Sequence, residues 1–288
     1  MSPTGPAGVS VRDLAFTHAG SAAPALNGLS FVVRPGELVG IVGPNGAGKT
    51  TLCLSLNGVV PHLLPGERTG EVRVEGADPA STTVREMARS IAMVFDDPEA
   101  QLSQPTVADE VALGLENLAV PSAEMPARIA AALAAVGLDG LDARDPMTLS
   151  GGEQQRLAIA CAVAMRPSVL VMDEPTANLD PAGSAAVFDI VRRLCREDRL
   201  TVIVATHDVE AIADHADRVL VLVAGAVVLD GPPRDVFTEL ARSGGPSLGV
   251  RVPEVTALGA ILDASAGTAR STLPVTDDEA LAWLRARR

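Results

Sequence analysis

Two stretches of this 288-residue chain have residue types and spacing suited to phosphate chemistry. The first is GPNGAGKT: Gly43, Pro44, Asn45, Gly46, Ala47, Gly48, Lys49 and Thr50, with Thr51 behind them. It matches G-x-x-x-x-G-K-[ST] in full and lies between an apolar strand-like run and a helix. Gly43, Gly46 and Gly48 let backbone amides curl around phosphate oxygens, and the helix start adds partial positive charge. Lys49 can then reach β- and γ-phosphates, and Thr50 can offer its hydroxyl to Mg2+. The second stretch, VLVMDEPTANLD, ends an apolar run on Asp173 and Glu174. Asp173 at that strand end suits a Mg2+ site, and Glu174 can orient and deprotonate an attacking water. A plain glycine turn, or two solvated acids, would account for either stretch alone. Together they read as the halves of one nucleotide site.

A third stretch, AMVFDDPEAQ, raises a different question. Its apolar run Ile91 to Phe95 stops at Asp96, Asp97 and Glu99. Three carboxylates at one strand end need a cation, a basic partner or water.

The elements that must position these groups follow from periodicity and turn signals. Val9 to Phe16, Leu29 to Val33 and Glu37 to Val42 read as strands. Ile91 to Phe95, Val169 to Met172 and Val202 to Ala205 are short apolar runs of the kind found in a parallel sheet covered on both faces. Helices are expected between them, one capped by Thr106 with Asp109, one by Ser150 with Glu153, and one opened by Asp180-Pro181. Arg218 to Val223 and Ala226 to Asp230, joined through Ala224-Gly225, read as a closing hairpin. A helix from Arg234 to Arg242 precedes a break at Ser243-Gly-Gly-Pro. The tail beyond it should hold two helices, the second capped by Thr276 and carrying Trp283.

Composition excludes several classes. With 47% apolar residues, the chain can bury a full core. A net charge of −13 argues against a nucleic-acid partner, since affinity for phosphate backbones comes from Lys and Arg. The three cysteines form no CxxC pair, so neither a zinc site nor a disulfide framework is indicated. No basic segment leads into an apolar one at the N-terminus, so no signal peptide is expected. The longest apolar stretch, Val219 to Leu229, falls short of the roughly 20 residues that span a bilayer. Any membrane role should be peripheral.

LSGGE, Leu149 to Glu153, lies between the two phosphate stretches. In that order the motifs resemble those of the ATP-binding-cassette (ABC) ATPases, over roughly residues 9 to 235. The resemblance implies an α/β P-loop NTPase fold of ABC ATPase type: a mostly parallel sheet core, an antiparallel β subdomain and a helical subdomain. It implies an ATP-binding domain over 9–243, its helical part near 100–166, and a small tail over 244–288 for dimerisation or regulation. ATP and Mg2+ are the implied cofactors. In that family Ser150, Gly151 and Gly152 bind the γ-phosphate held by the opposite subunit, and Asn178-Leu179-Asp180 lines the subunit junction. His207 matches the switch histidine on γ-phosphate. His18 stands where an aromatic residue stacks on adenine, and Glu153 where glutamine is common. One phosphate loop and one signature per chain imply a head-to-tail dimer, identical or not.

The third stretch extends the likeness. VFDDPEAQLSQPTVADEVALGLENL resembles the loop of energy-coupling-factor and cobalt or nickel importer ATPases, which read V-F-Q-x-P-x-x-Q-L, then P-T-V, then E-N-L. Pro98, Gln101, Leu102, Pro105, Thr106, Val107, Glu116, Asn117 and Leu118 match. The tail PVTDDEALAWL resembles that group's dimer-holding C-terminal region, though a generic amphipathic helix explains it equally. Asp96 departs from the pattern by replacing the loop glutamine; it either serves Mg2+, directly or through a bridging water, or marks a weak site. The implied function is the ATPase subunit of an importer for a vitamin or transition metal, bound to separate membrane subunits on the cytoplasmic face. The alternatives are another ABC transporter class, a soluble cassette ATPase, or a nucleotide-binding regulatory module.

Overall fold

The computed structural model describes residues 8–266 and 272–285. Strands β1 (Val9–His18) and β2 (Leu26–Val33) pair antiparallel, with Val9 opposite Val33 and Phe16 opposite Leu26. β3 (Leu38–Val42) is buried throughout and runs through the glycine loop into α1 (Lys49–Leu56). A short α2 (Val59–His62) leads to β4 (Gly66–Val74), which completes a three-stranded sheet in the order β2-β1-β4. β4 has no counterpart in the pattern read from sequence. GERTGEVRV buries only Val72 and Val74 along its length, so it lacks the apolar alternation of a half-covered strand.

The remaining chain alternates. After α3 (Val84–Met87) comes β5 (Ile91–Val94), then three helices, α4 (Val107–Asn117), α5 (Met125–Ala135) and α6 (Gly151–Ala164). Next come β6 (Val169–Asp173), α7 (Pro181–Glu197), β7 (Thr201–Ala205) and α8 (Val209–His215). The hairpin β8 (Arg218–Val223) and β9 (Ala226–Gly231) turns at Ala224-Gly225, both in the left-handed region. α9 (Pro233–Ser243), α10 (Glu254–Ser265) and α11 (Asp277–Arg285) close the chain.

The second sheet runs β5-β6-β7-β3-β8-β9, parallel except for β9. Its strands feed two cores by strict alternation. Leu38, Val42, Leu170, Met172, Val202 and Val204 face the core shared with α4–α9. Val39, Ile41, Val169, Val171, Ile203 and Ala205 face the core shared with α1 and the antiparallel sheet. Both faces are covered, which is why these strands read as unbroken apolar runs.

The helix caps expected from the sequence form. Thr106 accepts from Asp109 N at 3.1 Å. Ser150 and Glu153 make a reciprocal capping box. Asp180 accepts from Gly183 N at 2.8 Å, and Thr276 from Glu279 N at 3.3 Å. α4 and α5 pack against α6 as one helical layer. The tail lies on α9: Leu273 N donates to Thr238 Oγ1 (3.2 Å), Thr256 Oγ1 donates to Pro274 O (2.7 Å), and Arg234 pairs with Glu279. Among the described residues, no helix is long and apolar enough to cross a membrane.

Candidate nucleotide site

The loop between β3 and α1 is built so closely that two of its positions exclude a side chain. A Cβ on Gly43 would lie 2.1 Å from Leu222 O; one on Gly48, at φ +102°, would lie 2.4 Å from Ala25 O. Gly46, at φ +76°, has open space and is required by conformation alone. Gly48 gives α1 no side-chain cap, so the first amides of that helix remain available to an anion. Ala47 is anchored beneath, its N–H donating to Pro44 O and its carbonyl accepting from Gly225 N at 3.0 Å.

Lys49 is almost fully buried, with its ammonium against groups from three strand ends. Nζ donates to Gly43 O at 3.1 Å, lies 3.0 Å from His207 Nε2, and is 3.5 Å from Glu174 Oε1. His207 follows β7 and Glu174 follows β6. They are tied twice: His207 N donates to Glu174 Oε2 (3.0 Å), and His207 Nε2 lies 3.3 Å from Glu174 Oε1. Asn45 Oδ1 is 2.8 Å from the same imidazole nitrogen. Glu174 adopts φ +48°, a left-handed conformation that costs a residue with a Cβ about 1–2 kcal/mol. The turn is held by its N–H donating to Ala205 O at 2.7 Å. The structure brings Lys49, Glu174, His207 and Asn45, four residues from three loops, into one cluster.

Asp173 ends β6 beside them. Burial pushes its carboxyl above the usual range; the Thr50 hydroxyl bond and Lys49 oppose this, while the charges of Glu174 and Asp96 add to it. One of its oxygens, Oδ1, is buried without a hydrogen-bond partner. A hydroxyl, an orphaned carboxylate oxygen and surplus negative charge suit a small hard cation. Thr50 and Asp173 therefore fit Mg2+, and Asp96 adds charge nearby. Among the described residues no three His, Cys, Asp or Glu groups are gathered into a metal cage. A metal here would take its other ligands from phosphate and water, as Mg2+ commonly does.

His18 is half-buried at the end of β1. Its Nε2 lies 3.2 Å from Thr51 Oγ1, and its ring meets Phe16 edge-on at 4.8 Å. Asp96, Asp97 and Glu99 are exposed in the loop after β5. Gln101 stitches that loop: Phe95 N donates to its Oε1 (3.4 Å), and its Nε2 donates to Asp97 O (3.2 Å). Asp96 to Glu99, Gly151, Gln154, Gln155 and Asn178 line one cavity of about 250 Å³, so the loop, the start of α6 and the turn before α7 meet there. Ser150 and Gly152 stand at the same helix start. Asp180 caps α7 rather than reaching the phosphate loop of its own chain.

Two contributors escaped sequence reasoning. Glu110, buried on α4, accepts from Ser103 N and Gln104 N at 2.7 Å each and so anchors the loop's far end. An acid at i+3 from Val107, on the apolar face, was the available signal. Ser184 Oγ donates to Asp208 Oδ2 at 2.7 Å, tying the first turn of α7 to the residue after His207. Nothing in the local pattern announces that pair.

Comparison with known proteins agrees with this geometry. The ABC transporter family matches residues 26–177. An ABC transporter ATP-binding protein of Pyrococcus abyssi is 40% identical over 265 residues, 92% of this chain and 94% of that protein. The energy-coupling factor transporter ATP-binding protein EcfA of Methanothermobacter thermautotrophicus is 40% identical over 233 residues, 80% of this chain and 73% of EcfA. CbiO1 of Clostridium perfringens, part of the ABC transporter complex CbiONQ, superposes with a TM-score of 0.75 at 31% identity, covering 88% of this chain and 99% of CbiO1. The dimeric cassette MJ0796, bound to ADP and Pi, gives 0.68 at 27% identity, covering 78% and 99%. The chain belongs to the ABC transporter family. It is an ATP-binding and ATP-hydrolysing cassette, the ATPase subunit of a transporter.

Proposed function

We propose that this ATPase powers an energy-coupling-factor importer for a vitamin or a transition metal ion. In this reading it works as a head-to-tail dimer under separate membrane subunits, on the cytoplasmic face of the membrane. The convergence of Lys49, Glu174 and His207 supports the chemistry. The likeness to EcfA and CbiO1 supports the importer type.

In this reading the residues take the following roles. Gly43 to Thr51 cradle the phosphates with backbone amides, and Lys49 neutralises the β- and γ-oxygens. His18 meets the adenine with an imidazole face. Glu174, held by His207 N, accepts a proton from the attacking water. His207 moves from its contact with Lys49 to the γ-phosphate. Thr50 and Asp173 would hold Mg2+, with Asp96 as the third oxygen donor; the metal supplies charge neutralisation at the transferring phosphoryl group. Ser150, Gly151 and Gly152 serve the partner's nucleotide, and Asp180 lies at the junction. Residues 9–243 form the working cassette, with the tail over 244–288 as a dimer support.

Lys49→Ala should abolish ATP binding. Glu174→Gln should bind ATP, lose hydrolysis and accumulate as a dimer in size-exclusion chromatography with ATP. Normal turnover by Glu174→Gln would remove it from the water-activating role. Purification from membranes in mild detergent should recover integral membrane subunits; recovery of none would overturn the importer reading.

A further inference from the structure

The cavity between the loop after β5 and the start of α6 holds an unmet donor. Gln155 lies on the first turns of α6 and is 2% exposed, and its Nε2 has no hydrogen-bond partner. Leaving such a group unpaired is costly, so a native fold normally supplies an acceptor within reach. The other groups lining the cavity narrow the choice. Asp97 Oδ1 already accepts from Ala100 N at 3.2 Å and shapes its own turn. Gln154, beside Gln155, spends its amide on Pro146 O at 3.3 Å. Asp96 and Glu99 border the same cavity with carboxylates bonded to no other described side chain, and of the two Asp96 is the one whose charge also bears on Asp173. Asp173 is close enough that the two negative charges repel. One direction offers an unpaired donor and the other like charge.

We propose that Gln155 is a positioning residue for this loop: its Nε2–H donates to the Asp96 carboxylate across the cavity. A hydrogen bond with a charged acceptor is worth more than a neutral one. A cavity of about 250 Å³ gives the short aspartate arm room to swing. The consequence is mechanical. Asp96 cannot move toward Thr50 and Asp173 without releasing the helix whose N-cap is Ser150, so the chain's own metal-side carboxylate and the segment offered to the partner are linked. This rests on the nucleotide-site reading above only for what those two ends do; the bond itself stands apart from it.

The test is amide hydrogen exchange over residues 95–102, in EDTA and without nucleotide, for wild type, Gln155→Leu, Asp96→Ala and the double variant. Gln155→Leu is close to isosteric and removes the orphan donor. Each single change should speed exchange of the loop roughly ten- to a hundredfold, the range set by losing one charge-assisted bond. The double variant should be no faster than either single. Gln155→Glu, which faces Asp96 with like charge, should speed exchange further, and adding Asp96→Asn should restore much of the protection. A second readout is the Mg2+ concentration for half-maximal ATPase activity, which should fall in Gln155→Leu because Asp96 is freed. Unchanged loop exchange in Gln155→Leu, or effects of the two singles that multiply in the double, would overturn the proposal. Because exchange is read without nucleotide, failure here leaves the outcome for Lys49→Ala and Glu174→Gln untouched, and the reverse holds.

Discussion

Asp173→Asn should stabilise the protein while impairing its response to Mg2+. Asp173 is 6% exposed, and one carboxylate oxygen has no hydrogen-bond partner. Burial raises its carboxyl pKa. For a group whose folded value lies above its unfolded one, the associated stability is complete below the unfolded pKa and is lost as pH rises through the folded pKa. As pH rises, the wild type therefore takes on the penalty of an ionised, desolvated carboxylate. Asparagine keeps an oxygen for the Thr50 hydroxyl and has no proton to lose. Exchanging a desolvated, unpartnered charged oxygen for a neutral amide, which can donate toward the neighbouring carboxylates, avoids a penalty of about 1–3 kcal/mol. At about 2–4 °C of Tm per kcal/mol for a chain near this size, the gain should be roughly 2–12 °C. Differential scanning fluorimetry in EDTA from pH 4.5 to 8 should show the gap widest at the alkaline end and narrowing toward acid. With Mg2+ and ATP, wild type should gain stability by linkage and Asp173→Asn should lose most of that gain. A variant no more stable than wild type in EDTA at pH 7.5, or one that gains equally from Mg2+, would refute the argument.

Two further substitutions probe other parts of the site. Gly43→Ala forces a Cβ to 2.1 Å from Leu222 O, so overpacking should cost about 1–3 kcal/mol and weaken ATP binding, read by thermal melts and nucleotide titration. Charge reversal at Asp97 and Glu99, both exposed, should reduce recovery of membrane subunits in detergent pull-downs while ATP affinity stays at the wild-type level; unchanged recovery would return both residues to solvent.

What could be read from the sequence was local in the chain. The phosphate loop is contiguous, so its glycines, Lys49 and Thr50 declare their chemistry without knowledge of any neighbour. Caps such as Ser150 with Glu153 span three residues and read equally well. β4 escaped because its burial is confined to Val72 and Val74. α5 escaped because an alanine-rich segment with only Ala132 and Leu133 buried has a faint apolar stripe. The bond from Ser184 to Asp208 joins residues 24 apart, and only the sheet order brings them together. Gln155 reads as one more polar residue on a helix until its burial is seen.

The order of the sheet also acts as a ruler. β3 delivers the phosphate loop, and beside it in sequence across the sheet stand β7, β6 and β5, whose C-terminal ends carry His207, then Asp173 and Glu174, then Asp96. Neighbouring strands are separated by about 4.8 Å, a spacing fixed by the peptide hydrogen bond and not by any side chain. The histidine thus roots one rung from the cradle, the paired carboxylates two and the loop aspartate three. Core substitutions can weaken the ladder but cannot rescale it. Divergence among such enzymes is left with only two freedoms: the length of the side-chain arm at each rung, as in an aspartate where a longer residue would reach further, and the path of the loop that carries it.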